Sequence, residues 1–325
     1  MAHRTALVLG ATGGIGGAVA HRLLAGGWAV RALNRRPDRL SAAQTSSGIE
    51  WARGDAMAAA DVVAAASGAD AIVHAVNPPG YQNWGKLVLP MLDNTIAAAQ
   101  TNGARIVLPG TVYNFGPDSF HHLREDSPQN PVTVKGAIRV EMERRLQATA
   151  GAGTPVLIVR AGDFFGPTGG NNWFSQALVK PGRPVAAIGY PGKAGVGHQW
   201  AYLPDVAETM VRLLDKDELE RFAVFHMEGH WDADGRQMIA AIREASENPG
   251  LKTQRFPWTL MRVLSPVVPL FRELSEMRYL WRTPIRMSNA RLIGVLGAEP
   301  RTPLSEAVRE TLASLGCMTP APGQD

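Results

Sequence analysis

The sequence predicts an α/β protein, a doubly wound parallel sheet followed by a smaller α/β part that covers the substrate. Three observations carry this. Short β-rich apolar runs alternate with helical patterns over the first half. A glycine-rich segment, LVLGATGGIGGAVA, joins the first run to the first helix. Beyond Gly166 the pattern gives way to Gly/Pro-rich loops, short strands and scattered helices. The expected boundary places residues 1–166 in a dinucleotide-binding part and 167–325 in the covering part, with some later elements returning to the first.

Strands are expected at 5–10, 29–33, 49–53, 71–74, 105–109 and 155–160, each four to six residues of mainly apolar character. Helical periodicity separates them at 15–25, 58–66, 86–102 and 134–149. Further helices are expected at 205–214, 235–245 and 304–315. In such a sheet, ligands bind in the crevice outside the carboxyl ends of the strands.

Composition narrows the function classes. The 325 residues carry a formal net charge of +4, and their basic residues are dispersed as pairs such as Arg35-Arg36 and Arg144-Arg145. That pattern argues against nucleic acid as a partner. Cys317 is the single cysteine, which excludes an intrachain disulfide framework. With no secretory-type apolar run at the start of the chain, a reducing cytoplasmic setting is expected. The apolar stretch 256–271 is interrupted by Pro257, Arg262, Pro266 and Pro269, too short and too broken to span a bilayer. It reads as a helical lid packed on a core, or as a surface that contacts membrane or a lipid-like substrate. His121-His122 beside Glu125-Asp126 do not share a helical face, and no metal site is expected there.

The glycine segment carries the first chemical inference. Gly10 permits a tight turn, Gly13 lets backbone N–H groups approach a pyrophosphate, and Gly16 lets the helix pack close to the sheet. Thr12 and Ile15 belong to the same turn. With strand, turn, helix and second strand all in order, the pattern is a Rossmann dinucleotide fingerprint. At the end of the second strand, where an NAD site offers a carboxylate to the ribose, the chain reads Asn34-Arg35-Arg36. Two guanidiniums suit a 2′-phosphate, which favours NADP(H) and leaves NAD(H) open. Asp55 follows the third strand, either as a partner of the adenine amine or as a turn-capping residue.

These segments resemble the short-chain dehydrogenase/reductase superfamily, in particular its extended, NAD-dependent epimerase/dehydratase branch. The likeness rests on Gly10/Gly13/Gly16, Gly54-Asp55, His74-Ala75-Val76-Asn77, Val112-Tyr113, RAGDFFGP from Arg160, YLPDV from Tyr202, and the C-terminal segment that begins at Ser288. It implies that Ala75, Val76 and Asn77 border the cofactor. It also implies a Ser/Thr after strand five and a Tyr-x-x-x-Lys on the next helix, and here the chain departs. Pro109 stands at the serine position with Thr111 two residues on, and Lys135 and Arg139 stand at the tyrosine and lysine. Lys-x-x-x-Arg on this helix is similar to the atypical branch that includes isoflavone and pinoresinol reductases, which implies NADPH and Lys135 as proton-transfer residue.

Val134, Ile138, Met142 and Leu146 form an i+4 apolar stripe, with Lys135, Arg139 and Glu143 on a neighbouring polar stripe. The polar stripe either lies along the rim of the nicotinamide end or is a solvated face with an Arg139–Glu143 pair. Thr111 and Tyr113 are expected to orient the substrate oxygen. Tyr81, Trp84, Asn114, Asn171, Trp173, His198 and Trp200 either line an aromatic cleft suited to a flat or apolar substrate or close the core of the covering part. The reading is an NADP(H)-dependent oxidoreductase acting on a carbonyl or activated double bond of a small organic substrate. A nucleotide-sugar epimerase or dehydratase and a non-catalytic redox sensor are the alternatives, and a homodimer is left open.

Overall fold

A computed structural model describes residues 4–78, 83–168 and 172–318, with the backbone alone at residues 269 and 270. In chain order the first half runs β1 (Thr5–Leu9), α1 (Gly14–Ala25), β2 (Ala29–Asn34), α2 (Ala42–Thr45), β3 (Glu50–Arg53), α3 (Ala59–Ala65), β4 (Ala71–His74), α4 (Trp84–Asn102), β5 (Arg105–Gly110), α5 (Val134–Gly151) and β6 (Val156–Arg160). The second half runs β7 (Asp163–Phe165), β8 (Ile188–Tyr190), β9 (His198–Tyr202), α6 (Leu203–Leu214), β10 (Phe222–His226), β11 (His230–Asp232), α7 (Gln237–Ala245), β12 (Thr253–Arg255), α8 (Trp258–Leu264), α9 (Pro269–Glu276), α10 (Ala290–Leu296) and α11 (Leu304–Ser314). A 3-10 turn at Met277–Trp281 continues α9.

The main sheet has seven strands in the order β10-β6-β5-β4-β1-β2-β3, every neighbouring pair parallel. The order reverses between β1 and β4, and this switch point opens the crevice where ligands bind in such sheets. Period-two alternation decides which helices cover which face. Ala6 and Val8 of β1 pack with α1 and α6, while Leu7 and Leu9 pack with α3 and α4. Both faces are covered, so the strands read as continuous apolar runs rather than as alternating ones. Residues 203–226 supply α6 and β10 to this layer, although they lie well past Gly166 in sequence. The remaining elements build a second core rich in aromatic rings, around a three-stranded sheet of β11, β9 and β7.

On α5 the apolar stripe holds in part, and the solvated alternative for the polar stripe fails. Ile138, Met142 and Leu146 are buried as the period requires, but Val134 is 71% exposed. Lys135, Arg139 and Glu143 are buried instead. The physical reason is a set of charges waiting on the sheet. Arg160, at the carboxyl end of β6, donates from Nε to Glu143 Oε1 at 3.0 Å and from Nη2 to Oε2 at 2.5 Å. The Arg139–Glu143 pair of the solvated alternative is therefore replaced by a fork between helix and strand. The Arg160 Nη1 lies 2.8 Å from His226 Nε2. A guanidinium can only donate, so this nitrogen accepts and His226 is the neutral Nδ1–H tautomer. On β4, His74 lies 2.8 Å from Thr95 Oγ1, whose own hydroxyl donates to Met91 O.

Removing Glu143 leaves Arg160 buried without its carboxylate. Glu143→Ala is expected to cost about 3–5 kcal/mol, read as a shifted denaturation midpoint at unchanged slope. A loss under about 1 kcal/mol contradicts the pairing. Acid acts through the histidines. Burial pushes both His74 and His226 down to about 3 from the usual 6.5, with nearby Arg139 and Arg160 adding to the effect. The unfolded chain takes up these protons near pH 6.5 and the folded chain only near pH 3, so stability is present above that window and falls as pH drops through it. The expected slope is about 1.4 kcal/mol per pH unit for each histidine, measured by urea denaturation across the window. A flat profile overturns it.

Candidate cofactor and active site

The glycine turn is built by backbone approaching backbone. Gly10 sits at φ +91°, and a Cβ there would lie 2.7 Å from the Ala75 carbonyl oxygen after β4. A Cβ on Gly16 would lie 2.2 Å from Gly10 O, so α1 packs on the turn only without a side chain. Gly13 N–H donates to Gly10 O at 2.9 Å and Gly13 is the N-cap of α1, with no side chain capping the helix. The first N–H groups of such a helix have no intrahelical partners and face outward with the positive end of the dipole. Thr12 and Gly13 are exposed, and Ile15 is partly covered in the first turn. A pyrophosphate fits this cradle, whose glycines keep it open.

At the end of β2, Asn34 Oδ1 accepts the Arg36 N–H at 2.7 Å and fixes the turn, leaving Arg35 and Arg36 exposed. Arg53, which the sequence reading missed, stands opposite Asn34 in the β2–β3 register. It donates to Asp38 Oδ1 at 2.6 Å and to Arg35 O at 3.4 Å, bracing the loop. The available signal was its place at the last position of the third strand. Asp55 Oδ1 accepts the Met57 N–H at 3.0 Å, a turn contact of the kind expected for a capping residue. Val76 and Ala75 border Gly10, and Asn77 beyond them is exposed.

Lys135 stands in the first turn of α5. Thr133 caps that turn by accepting the Gly136 N–H at 2.9 Å. Gly136 closes directly on the Tyr113 carbonyl, which a Cβ would approach to 2.3 Å. This contact brings Lys135 beside the short 3-10 turn Val112–Asn114, whose N-cap Thr111 accepts the Tyr113 N–H at 3.3 Å. The lysine is 2% exposed, and its Nζ donates to both Glu273 and Glu276 of α9. Glu276 also accepts the Lys135 N–H at 3.3 Å. These two glutamates escaped the sequence reading because they lie some 140 residues away; their i,i+3 spacing was the only local sign.

The other expected substrate residues are placed more deeply. Trp84 is buried under the Arg139 guanidinium, 5.2 Å from its ring centroid. Asn114 is buried, donating to Gln129 Oε1 at 2.9 Å. Trp173 and Trp200 are inside the aromatic core, where each packs edge-on against Trp281. His198 is buried in a stack on Trp281, with Nε2 2.9 Å from Asp163 Oδ2 and Nδ1 3.3 Å from Leu280 O. Tyr81 and Asn171 lie outside the described residues. The structure thus brings together Thr111, Tyr113 and Lys135, and separately the glycine turn with Ala75 and Val76.

Two glycine substitutions separate the cradle from the fold. Gly13 has ordinary extended angles and a Cβ there would meet only Gly10 O, at 3.3 Å. Gly13→Val is expected to keep the cooperative thermal transition and lose the stabilisation that NADPH confers. Gly16→Ala is expected to lower the melting temperature itself, since its methyl group collides with backbone. A normal NADPH shift in Gly13→Val contradicts the cradle.

Residues 10–171 match a family model described as NAD(P)H-binding. An uncharacterized protein of Sinorhizobium fredii is 30% identical over 181 residues, half of this chain, and the chain spans about half the length of that curated relative. Among solved structures, MoeE5 in complex with UDP-glucose and NAD is 18% identical, with a TM-score of 0.71 over 96% of this chain and 98% of that one. The UDP-N-acetylglucosamine 4-epimerase of Bacillus cereus is 16% identical, with a TM-score of 0.72 over 99% of both chains. The UDP-glucuronic acid 4-epimerase of the same species, in complex with UDP-glucuronic acid and NAD, is 15% identical, with a TM-score of 0.71 over 96% and 98%. No helix among the described residues is long and apolar enough to cross a membrane. Residues 10–171 carry the NAD(P)H-binding domain that this family model describes, on a Rossmann-like α/β fold shared with these solved structures.

Proposed function

We propose that the protein is an NADP(H)-dependent oxidoreductase that reduces a carbonyl or an activated double bond of a small organic substrate, with Lys135 as proton-transfer residue. The observation that carries this reading is a buried amine in the first turn of α5, beside Thr111 and Tyr113 and at the carboxyl end of the sheet. NADPH would lie on the Gly10–Gly16 turn, with Asn34, Arg35 and Arg36 at its 2′-phosphate and Ala75, Val76 and Asn77 along its length. When bound it supplies the hydride. The chain's own task is to hold a proton at Lys135 Nζ for the oxygen or carbon that gains electron density. Thr111 and Tyr113 orient that group. Glu273 and Glu276 act as positioning residues that fix the ammonium while the lid is closed, and they give way when a substrate oxygen reaches it. Trp84, Asn114, Trp173, His198 and Trp200 are buried and support the walls from behind rather than touching the substrate.

The nucleotide-sugar epimerase reading draws on the whole-chain likeness to such enzymes; the lysine where they need a tyrosine weighs against it. Calorimetric titration at fixed salt tests the cofactor. NADPH is expected to bind at least about tenfold tighter than NADH, a difference of roughly 1.4 kcal/mol, and Arg35→Ala to erase the preference. Equal affinities reject the 2′-phosphate site. Lys135→Met is expected to keep NADPH affinity within a few-fold and to lower NADPH-linked turnover of a carbonyl panel by about 10². Full turnover in that variant, with loss in Tyr113→Phe, would move the proton to the tyrosine; NADPH never oxidised by any substrate would leave a binding protein.

A further inference from the structure

The lid over Lys135 sorts its side chains by charge. Glu273 and Glu276 turn inward to the lysine. Outside, residues 248–272 contain no Asp or Glu and carry Lys252, Arg255 and Arg262, all exposed, while the exposed Arg272 pairs with its neighbour Glu273 at 3.4 Å. α8 and the turn after it sort by polarity in the reverse of a packed helix. Trp258 and Met261 face inward, Trp258 packing on Trp173 at 5.9 Å and donating from Nε1 to Pro191 O at 2.8 Å. Leu260, Val263, Leu264 and Val267 follow an i, i+3, i+4, i+7 pattern on the other side. Leu260 is 56% exposed, Val263 67% and Val267 75%, three of the large apolar side chains that the described residues leave most open.

We propose that this outer face of the lid docks on an anionic lipid surface. An apolar helical stripe flanked by cations and free of acids is the composition of a segment that lies in the plane of a bilayer interface, its apolar side chains among the acyl chains and its arginines among lipid phosphates. Charge also selects against the nearest competitor. A second copy meeting this face through a twofold axis brings its own Lys252, Arg255 and Arg262 into the interface, and residues 248–272 offer no carboxylate to answer them. Lipid phosphates neutralise them. The inference is independent of the cofactor and of the chemistry at Lys135.

Flotation of the full chain with vesicles tests it. Vesicles of phosphatidylcholine containing about a third phosphatidylglycerol are expected to bind the protein about tenfold better than phosphatidylcholine alone, with most of the difference lost at about 0.5 M salt. The triple variant Leu260→Asp, Val263→Asp, Val267→Asp is expected to lose at least about tenfold in binding while its thermal transition stays in place, because the replaced side chains are exposed. Should that variant misfold, Arg255→Glu with Arg262→Glu leaves the apolar stripe intact and must remove the preference for anionic vesicles. Wild-type protein that ignores anionic vesicles, or variants that float as well as wild type, overturn the proposal. So does a wild-type dimer by light scattering that the triple variant converts to monomer, since a second copy then covers the stripe.

Discussion

The constraint on which the rest depends is the contact of three backbones at the end of β1. Gly10, Gly16 and the Ala75 carbonyl come so close that no side chain fits between them. This approach fixes where α1 begins, points its uncapped first turn into the crevice between β1 and β4, and sets the height at which the loops after β2 and β4 can meet a ligand. It is a steric constraint rather than an attraction, so the glycines contribute little contact energy themselves and cost chain entropy on folding. The return lies in the crevice they keep open.

A second set of interactions fixes α5 and its first turn. Charges buried under α5 are tolerated because each is matched across an element boundary: Glu143 by Arg160 of β6, and Lys135 by Glu273 and Glu276 of α9. Such pairs contribute less to net stability than to uniqueness of arrangement, since burying them costs nearly what pairing returns. What they secure is register. Glu143 holds the helix to the sheet, and two turns earlier the same face presents Lys135 beside Thr111 and Tyr113. The lid carries the matching carboxylates on its inner side and cations on its outer side, so the lid's position and the environment of the lysine are coupled.

The sheet was legible because alternation of short apolar runs with helices is a local pattern, and the glycine turn because three positions in seven residues decide it. The six expected strands all appear within a residue or so of their bounds. β10 was not among them: Phe222–His226 is a five-residue run beyond a helix and beyond the expected boundary, and only its pairing with β6 reveals its place. On α5 the periodicity was right for Ile138, Met142 and Leu146, failed for Val134, and left open whether the polar stripe meets water. A polar stripe looks solvated unless its partners are known, and those partners stand 17 and about 140 residues away. Arg53 joins the loop after β2 through sheet register, and Trp173 and Trp200 join a ring cluster with Trp281, contacts that depend on tertiary packing. Stretch 256–271 was ambiguous in sequence for the same reason: whether a helix shows its apolar side to the core or to the outside depends on what else has been packed there.

A crystal structure of the protein grown with NADPH tests the account most directly. The pyrophosphate is expected on the Gly13 turn, the 2′-phosphate within hydrogen-bond distance of the Arg35 and Arg36 guanidiniums, and Lys135 facing the nicotinamide end of the crevice. A cofactor bound with its 2′-phosphate in solvent, away from both arginines, or with Lys135 sealed off from the nicotinamide by α5, would contradict it.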